Sequence, residues 1–149
     1  MKEELNRALD LHKKGLINQA EKIYLDLIKI NNKNPGLFQL LGTLYLQKKS
    51  YKLSEKYLNK GLKIEPENPI ILNNLGILKK KTNEIKKSLE FFTLNIKKNN
   101  FLSSWINKLN IFIENKNYKE GLELSRLALT KYPNEIKLKN INALFLFEN

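Results

Sequence analysis

The sequence contains no cysteine, a single histidine and a single tryptophan among its 149 residues. Without cysteine the chain has no disulfide framework, no thiolate metal ligand and no thiol nucleophile, which fits a reducing compartment. Its apolar runs are far shorter than the roughly 20 residues that span a bilayer. Its start, MKEELNRALDLHKKG, has no apolar core of signal-peptide length. We therefore expect a cytoplasmic protein without a membrane segment.

Arginine is also scarce, although the chain is strongly basic. The formal net charge is +12, yet only Arg7 and Arg126 among the 27 Lys and Arg residues are arginine. A large positive charge attracts anionic partners over long distances. The abundance of Lys, Asn and Ile is equally typical of proteins from AT-rich genomes. Because arginine is better suited than lysine to bidentate phosphate contacts, its scarcity argues against nucleic acid as the partner.

A 34-residue period organises the chain. Several residues recur at this offset: Asn34-Pro35 and Asn68-Pro69, Leu41-Gly42 and Leu75-Gly76, Leu44 and Leu78, Ser54 and Ser88. A period of this length fits two antiparallel helices and a turn, and such units bury their apolar faces against their neighbours. The third unit is one residue short. We predict a single array over residues 1–149, with repeats at about 1–34, 35–68, 69–101 and 102–135, and a lone first helix at 136–149.

Apolar residues at helical spacing predict two helices in each unit. In the first helix of the second unit, Phe38, Gly42 and Tyr45 share one face. Pro35 suits the first position of that helix. In the fourth unit the register stays open, because two inward-facing sets are compatible with the pattern: Trp105, Leu109 and Phe112, or Ile106, Leu109 and Ile113.

Small residues recur where the two helices of a unit approach closely: Ala8, Gly42, Gly76 and Ala143 in first helices, Ala20, Ser54, Ser88 and Gly121 in second helices. Together with the period, this pattern resembles the tetratricopeptide repeat family over the whole chain. The resemblance implies an all-α fold, a right-handed superhelical α-solenoid of antiparallel helix pairs with about four and a half repeats. The opening segments LHKKGLINQAEKIYLDLI and LFQLLGTLYLQ also resemble the amino-terminal arm of larger bacterial proteins. Those proteins carry a sulfotransferase or an O-linked N-acetylglucosamine transferase-like domain.

The family binds peptides in a concave groove lined by the stacked first helices. By position, the resemblance implies nine groove residues here: Gln39, Thr43, Gln47, Asn73, Asn74, Ile77, Lys81, Asn107 and Asn110. Asn and Gln carry both donors and acceptors, so they pair with a peptide backbone whatever its sequence. Asn6, Asn74 and Asn107 share one position, similar to the Asn ladder of O-linked N-acetylglucosamine transferase. Leu40 interrupts this series, and Asn is frequent throughout the chain.

No set of residues in the sequence has the spacing of a catalytic or metal-binding site. His12 has no carboxylate at ligand spacing on its helix face, so we expect neither a metal nor a general-base role for it. Lysine pairs such as Lys48-Lys49 stand at the carboxyl ends of first helices, where the helix dipole favours a cation. The sequence therefore predicts no catalytic residue, no cofactor and no metal.

These features favour a non-enzymatic scaffold for protein–protein interaction that binds a peptide or protein segment in the concave groove. One alternative is the substrate-recruiting amino-terminal fragment of a larger glycosyl- or sulfotransferase. Another is an RNA-binding helical repeat, against which the scarcity of arginine argues. The apolar residues of the last helix, including Leu144, Leu146 and Phe147, predict an exposed patch. We expect either self-association through the 136–149 helix or a chain that continues beyond it.

Overall fold

The computed structural model describes residues 1–148, and within this range it contains nine α-helices and no strand. The helices are α1 Lys2–Lys13, α2 Ile17–Ile30, α3 Pro35–Gln47, α4 Tyr51–Ile64, α5 Pro69–Lys81, α6 Ile85–Asn99, α7 Leu102–Glu114, α8 Tyr118–Lys131 and α9 Ile136–Glu148. Consecutive helices pack against each other along the chain. The predicted all-α solenoid is confirmed. No helix of the described range has the length and apolar character needed to cross a membrane.

The Asn-Pro dipeptides begin α3 and α5. The Oδ1 of Asn34 accepts hydrogen bonds from the backbone N–H groups of Gly36 and Leu37, at 2.9 and 3.4 Å. The Oδ1 of Asn68 accepts in the same way from the two backbone N–H groups at equivalent positions, both at 3.0 Å. Proline follows each cap, where its missing N–H costs no helical hydrogen bond. An N-cap of this kind typically stabilises a helix by about 1 kcal/mol.

The turn inside each of the first four units uses a residue with a left-handed backbone. The φ angles are 76° at Gly15, 57° at Lys49, 62° at Asn83 and 57° at Lys116. These four residues are separated by 34, 34 and 33 positions, so the same turn is built four times. Only the first turn has glycine, which adopts positive φ without a steric penalty.

Close approach of helices within a unit explains the glycines of α3 and α5. A Cβ atom added at Gly42 would lie 2.5 Å from the Leu58 side chain, and one added at Gly76 would lie 2.4 Å from the Phe92 ring. Glycine at these positions costs about 1 kcal/mol of helix propensity relative to alanine. The compensation is that Leu58 and Phe92 become fully buried.

In the fourth unit the large residue of this contact lies on the first helix and the small residue on the second, the reverse of the two preceding units. Trp105 is 4% exposed and Leu109 fully buried, whereas Phe112 of the first set and Ile106 and Ile113 of the second set are each partly buried, so the burial of Trp105 distinguishes the two sets. The structure therefore follows the first of the two registers that the sequence left open. Leu109 takes the position of Gly42 and Gly76, and Ser125, also fully buried, takes the position of Leu58 and Phe92.

The odd-numbered helices form the inner side of the array. Besides their sequential neighbours, α3 contacts α5, α5 contacts α7 and α7 contacts α9, and no contact of comparable extent joins even-numbered helices of the described range. The inner helices are thus closer together than the outer ones, which curves the stack. Residues on the inner faces of α3, α5 and α7 line the concave surface.

Candidate functional site

The predicted groove residues lie on the three central inner helices: Gln39, Thr43 and Gln47 on α3, Asn73, Asn74, Ile77 and Lys81 on α5, Asn107 and Asn110 on α7. Their exposure differs. Gln47 and Lys81 are exposed, whereas Asn73 and Asn74 are each only 8% exposed. The other five residues are partly buried. The surface therefore combines open side chains with amides that are already enclosed.

Asn74 connects α5 to α3. Its Nδ2 donates a hydrogen bond to Thr43 Oγ1 at 2.7 Å, and the Gln39 amide donates to the same hydroxyl at 3.2 Å. The Thr43 hydroxyl in turn donates to the backbone carbonyl of Gln39 at 2.9 Å. These contacts hold two neighbouring inner helices together. Sequence reasoning assigned the amides to a ligand and did not predict this role.

Asn73 connects α5 to α7 in a similar way. Its Oδ1 accepts hydrogen bonds from Asn107 Nδ2 at 3.0 Å and from Ser104 Oγ at 3.2 Å. Asn95 of α6 extends the network, because its Nδ2 donates to Ser104 Oγ at 2.7 Å. Both Ser104 and Asn95 are fully buried. A buried polar network of this kind fixes the register of the helices that it joins.

The residues that remain available to a ligand are Gln47, Lys81 and Asn110. No hydrogen bond to another described residue involves the side chains of Lys81 or Asn110, while Gln47 Oε1 accepts one from His12 Nε2 at 2.8 Å. Asn110 occupies the position of Thr43 on α3 and of Ile77 on α5. The concave surface therefore presents mainly uncharged polar groups, with a cation at the end of α5.

His12 lies at the amino-terminal end of this surface, and the sequence did not indicate its place. Besides Gln47 of α3, it contacts the hydroxyl of buried Tyr24 on α2, with Nδ1 3.3 Å from the oxygen. With Leu9 and Lys13 it lines a depression of about 290 Å³. Within residues 1–148, no three side chains of the types that bind metals converge. His12 instead links three helices.

Lys79 is a buried cation where α3 has Tyr45. Its Nζ lies 2.6 Å from Glu55 Oε1 and 2.9 Å from Glu84 Oε1. Burial by itself would lower the pKa of Lys79, but hydrogen bonds to the two carboxylates outweigh it and raise that pKa. Hydrogen bonds from Lys87, Lys79 and Thr82 lower the pKa of Glu84 to about 2. These two ion pairs connect α5 to the outer helix α4 and to the residue that precedes α6.

In the equivalent contact one unit earlier, the inner-helix residue is the uncharged Tyr45. The Tyr45 hydroxyl donates to Glu21 Oε1 at 2.5 Å, and Glu21 also pairs with Lys48 at 2.6 Å. Burial would raise the pKa of Glu21, but the hydrogen bonds from Lys48 and Tyr45 lower it. Glu21 and Glu55 are 34 residues apart, so an outer-helix carboxylate repeats with the period. Lys48 and Lys79, which pair with these two carboxylates, therefore have a structural role.

The last helix, α9, exposes much of its apolar surface. Leu138 and Phe145 are fully buried against the preceding helices. Leu144, Leu146 and Phe147 are 41%, 53% and 86% exposed. Asn149, the end of the predicted helix, lies outside the described residues. The exposed side chains form an apolar face that no other helix of the described range covers.

Residues 35–68 match the family model of the tetratricopeptide repeat. They comprise α3, α4 and the turn that leads to α5, which is the 34-residue unit found in the sequence. Residues 35–68 are therefore a tetratricopeptide repeat, and the chain as a whole has the fold of solved tetratricopeptide proteins. Its repeats before and after residues 35–68 carry the same turns and the same alternation of inner and outer helices.

Solved structures share the fold across almost the whole chain. The Pseudomonas aeruginosa protein pilF superposes with a TM-score of 0.85 at 15% identity, covering 99% of this chain and 68% of its own. YrrB, a tetratricopeptide protein with an unusual peptide-binding site, superposes with a TM-score of 0.74 at 16% identity, covering 89% of this chain and 69% of its own. At these identities the likeness concerns the fold alone.

One sequence relative is much longer than the matched segment. Over 68 residues, 44% of this chain, the identity to the Sol locus transcriptional repressor of Clostridium acetobutylicum is 40%. The match spans 21% of that repressor's length. The similarity therefore concerns about two repeats of helices, and the repressor's activity as a whole protein lies beyond it.

Proposed function

We propose that this protein is a non-enzymatic scaffold that binds an extended peptide or protein segment along its concave surface. The observation that carries the proposal is the row of uncharged polar side chains on three successive inner helices, with Gln47 and Asn110 open to a ligand. Amide side chains pair with a peptide backbone through both donors and acceptors. The peptide-binding site of the structurally similar protein YrrB supports this use of the fold.

The groove side chains have two different roles in this proposal. Asn73 and Asn74 hold α3, α5 and α7 in register, so they shape the groove. Gln47, Lys81 and Asn110 have exposed or partly exposed polar atoms and supply the contacts. Because the helices are fixed before binding, most of the conformational entropy lost on binding comes from the ligand. A ligand that is already extended should therefore bind more tightly.

A peptide library displayed on phage, selected against the purified protein, tests the proposal. Peptides selected on the wild type should bind Asn110→Ala about two- to tenfold more weakly, as expected for the loss of one or two hydrogen bonds. Asn110→Trp should obstruct the groove and abolish binding. The matched control is Asn59→Ala, which removes an exposed amide from the outer helix α4. Peptides that bind both Asn110 variants as tightly as wild type would refute the groove proposal.

A further inference from the structure

Lys108 on α7 occupies a position that is apolar in the two preceding units. The equivalent residues, Leu41 on α3 and Leu75 on α5, are 0% and 1% exposed. Lys108 is partly buried, and its Nζ donates a hydrogen bond to Thr93 Oγ1 on the outer helix α6 at 2.8 Å. The Nζ also lies 5.9 Å from the centroid of the Phe112 ring. A cation therefore reaches from the inner layer to the outer helix.

This cation has no carboxylate partner among the described residues. Lys79, a buried lysine of α5, is by contrast paired with Glu55 and Glu84. Burial lowers the pKa of Lys108, and no carboxylate opposes that effect. An ammonium group has three N–H donors, of which Thr93 accepts one. The site thus has positive charge and donor capacity left for an anionic group.

The surface of α6 around Thr93 is apolar at its centre and basic at its ends. A depression of about 480 Å³ is lined by Lys86, Leu89, Glu90, Thr93, Leu94 and Lys97. Leu94 is 40% exposed. Lys86 and Lys97 are exposed and form no ion pair within the described range. We call these six lining residues together with Lys108 the α6 patch, in which Glu90 is the one carboxylate beside three lysines.

We propose that the α6 patch binds an acidic amphipathic helix of a protein partner. The apolar side chains of that helix would cover Leu89 and Leu94, and one of its carboxylates would pair with Lys108 beside Thr93. An amphipathic helix places apolar and acidic residues on adjoining faces, which matches leucines flanked by unpaired lysines. A phosphate backbone fits less well, because it offers nothing to cover the leucines.

The α6 patch is separate from the concave groove. α6 is an outer helix, and the groove residues lie on α3, α5 and α7. Lys108 starts on α7, but its Nζ contacts α6. Occupation of the patch therefore does not require the groove, and each proposal can fail without the other.

Fluorescence anisotropy with two synthetic peptides tests the α6 patch. The first is a labelled helix-forming peptide of about 14 residues, four helical turns, with Leu at i, i+3, i+4 and i+7 and Glu beside them. The second replaces every Glu with Gln. We expect the acidic peptide to bind wild type at least fivefold more tightly than it binds Lys108→Met. The matched control, Lys60→Met on the outer helix α4, should bind like wild type. The Gln peptide should not distinguish Lys108→Met from wild type.

Folding and competing partners are controlled in the same experiment. Lys108→Met places an apolar chain where other units have leucine, so its thermal midpoint should equal or exceed that of wild type. If it fails to fold, Leu94→Glu, at an exposed position, should weaken the acidic peptide to a similar extent. Equal affinity of wild type and the folded variant, or equal binding of the two peptides to wild type, would overturn the proposal. The proposal would also be overturned if a single-stranded oligonucleotide bound in a Lys108-dependent manner while the acidic peptide did not bind.

Discussion

Replacing Gly76 with leucine tests whether close helix approach sets the geometry of each unit. A Cβ atom at this position would lie 2.4, 2.7 and 2.8 Å from Cε1, Cδ1 and Cζ of Phe92, whose ring is fully buried. Overpacking of this kind costs about 1–3 kcal/mol. The better helix propensity of leucine returns less than about 1 kcal/mol. Since leucine adds three further carbons beyond Cβ, we expect the upper end of the overpacking range, and therefore a net loss of about 2 kcal/mol in the free energy of unfolding.

The fourth unit suggests how the loss can be repaired. There, Leu109 and Ser125 occupy the positions of Gly76 and Phe92. Phe92→Ser alone should cost at least about 3–5 kcal/mol, the range for truncating a buried phenylalanine. When Gly76→Leu is combined with Phe92→Ser, the introduced leucine side chain should fill part of the space that the ring leaves, so the two losses should not add. We expect a favourable coupling of at least about 1 kcal/mol, typical of residues in direct contact.

Urea denaturation followed by circular dichroism measures these differences as shifts in the midpoint. For a chain of this size, about 2 kcal/mol also corresponds to roughly 4–8 °C in thermal midpoint. The control Asn59→Leu, at an exposed position on α4, should be nearly neutral. A Gly76→Leu variant as stable as the control would refute the packing argument. Strictly additive losses in the double variant would refute the exchange of sizes.

Two further predictions concern acid stability and association. The pKa of Glu84 is about 2 in the folded chain and about 4.3 when unfolded, so its stabilisation is complete above that unfolded value and is lost as pH falls toward 2. Glu84→Gln should therefore flatten the dependence of thermal midpoint on pH between about 4.3 and 2. The control Glu120→Gln removes an exposed carboxylate that forms no ion pair in the described range, so it should leave this dependence unchanged. Equal slopes of thermal midpoint against pH for the two variants would contradict the lowered pKa of Glu84. The exposed face of α9 should cause self-association at high concentration, which Leu146→Lys with Phe147→Lys should reduce in light scattering. A wild type that stays monomeric at every concentration would rule out association through this face.

Local rules allowed much of the fold to be predicted from the sequence. The 34-residue recurrence of Asn-Pro and Leu-Gly located the helices, because caps, turns and apolar spacing act within a few residues. Helix α3 begins at Pro35 and α5 at Pro69, as the sequence predicted. The nine groove positions were implied by the resemblance to the tetratricopeptide repeat family, and their use by a ligand stays a prediction.

Packing between helices decided the rest. The register of α7 was undetermined by its own pattern, because apolar residues occur on two overlapping faces. It was settled by the contact with α8, where Leu109 and Ser125 exchange the sizes found in Gly76 and Phe92. The amide of Asn74 likewise pairs with Thr43, 31 residues away. Which polar group is left for a ligand depends on such distant partners, and only the folded chain brings them together.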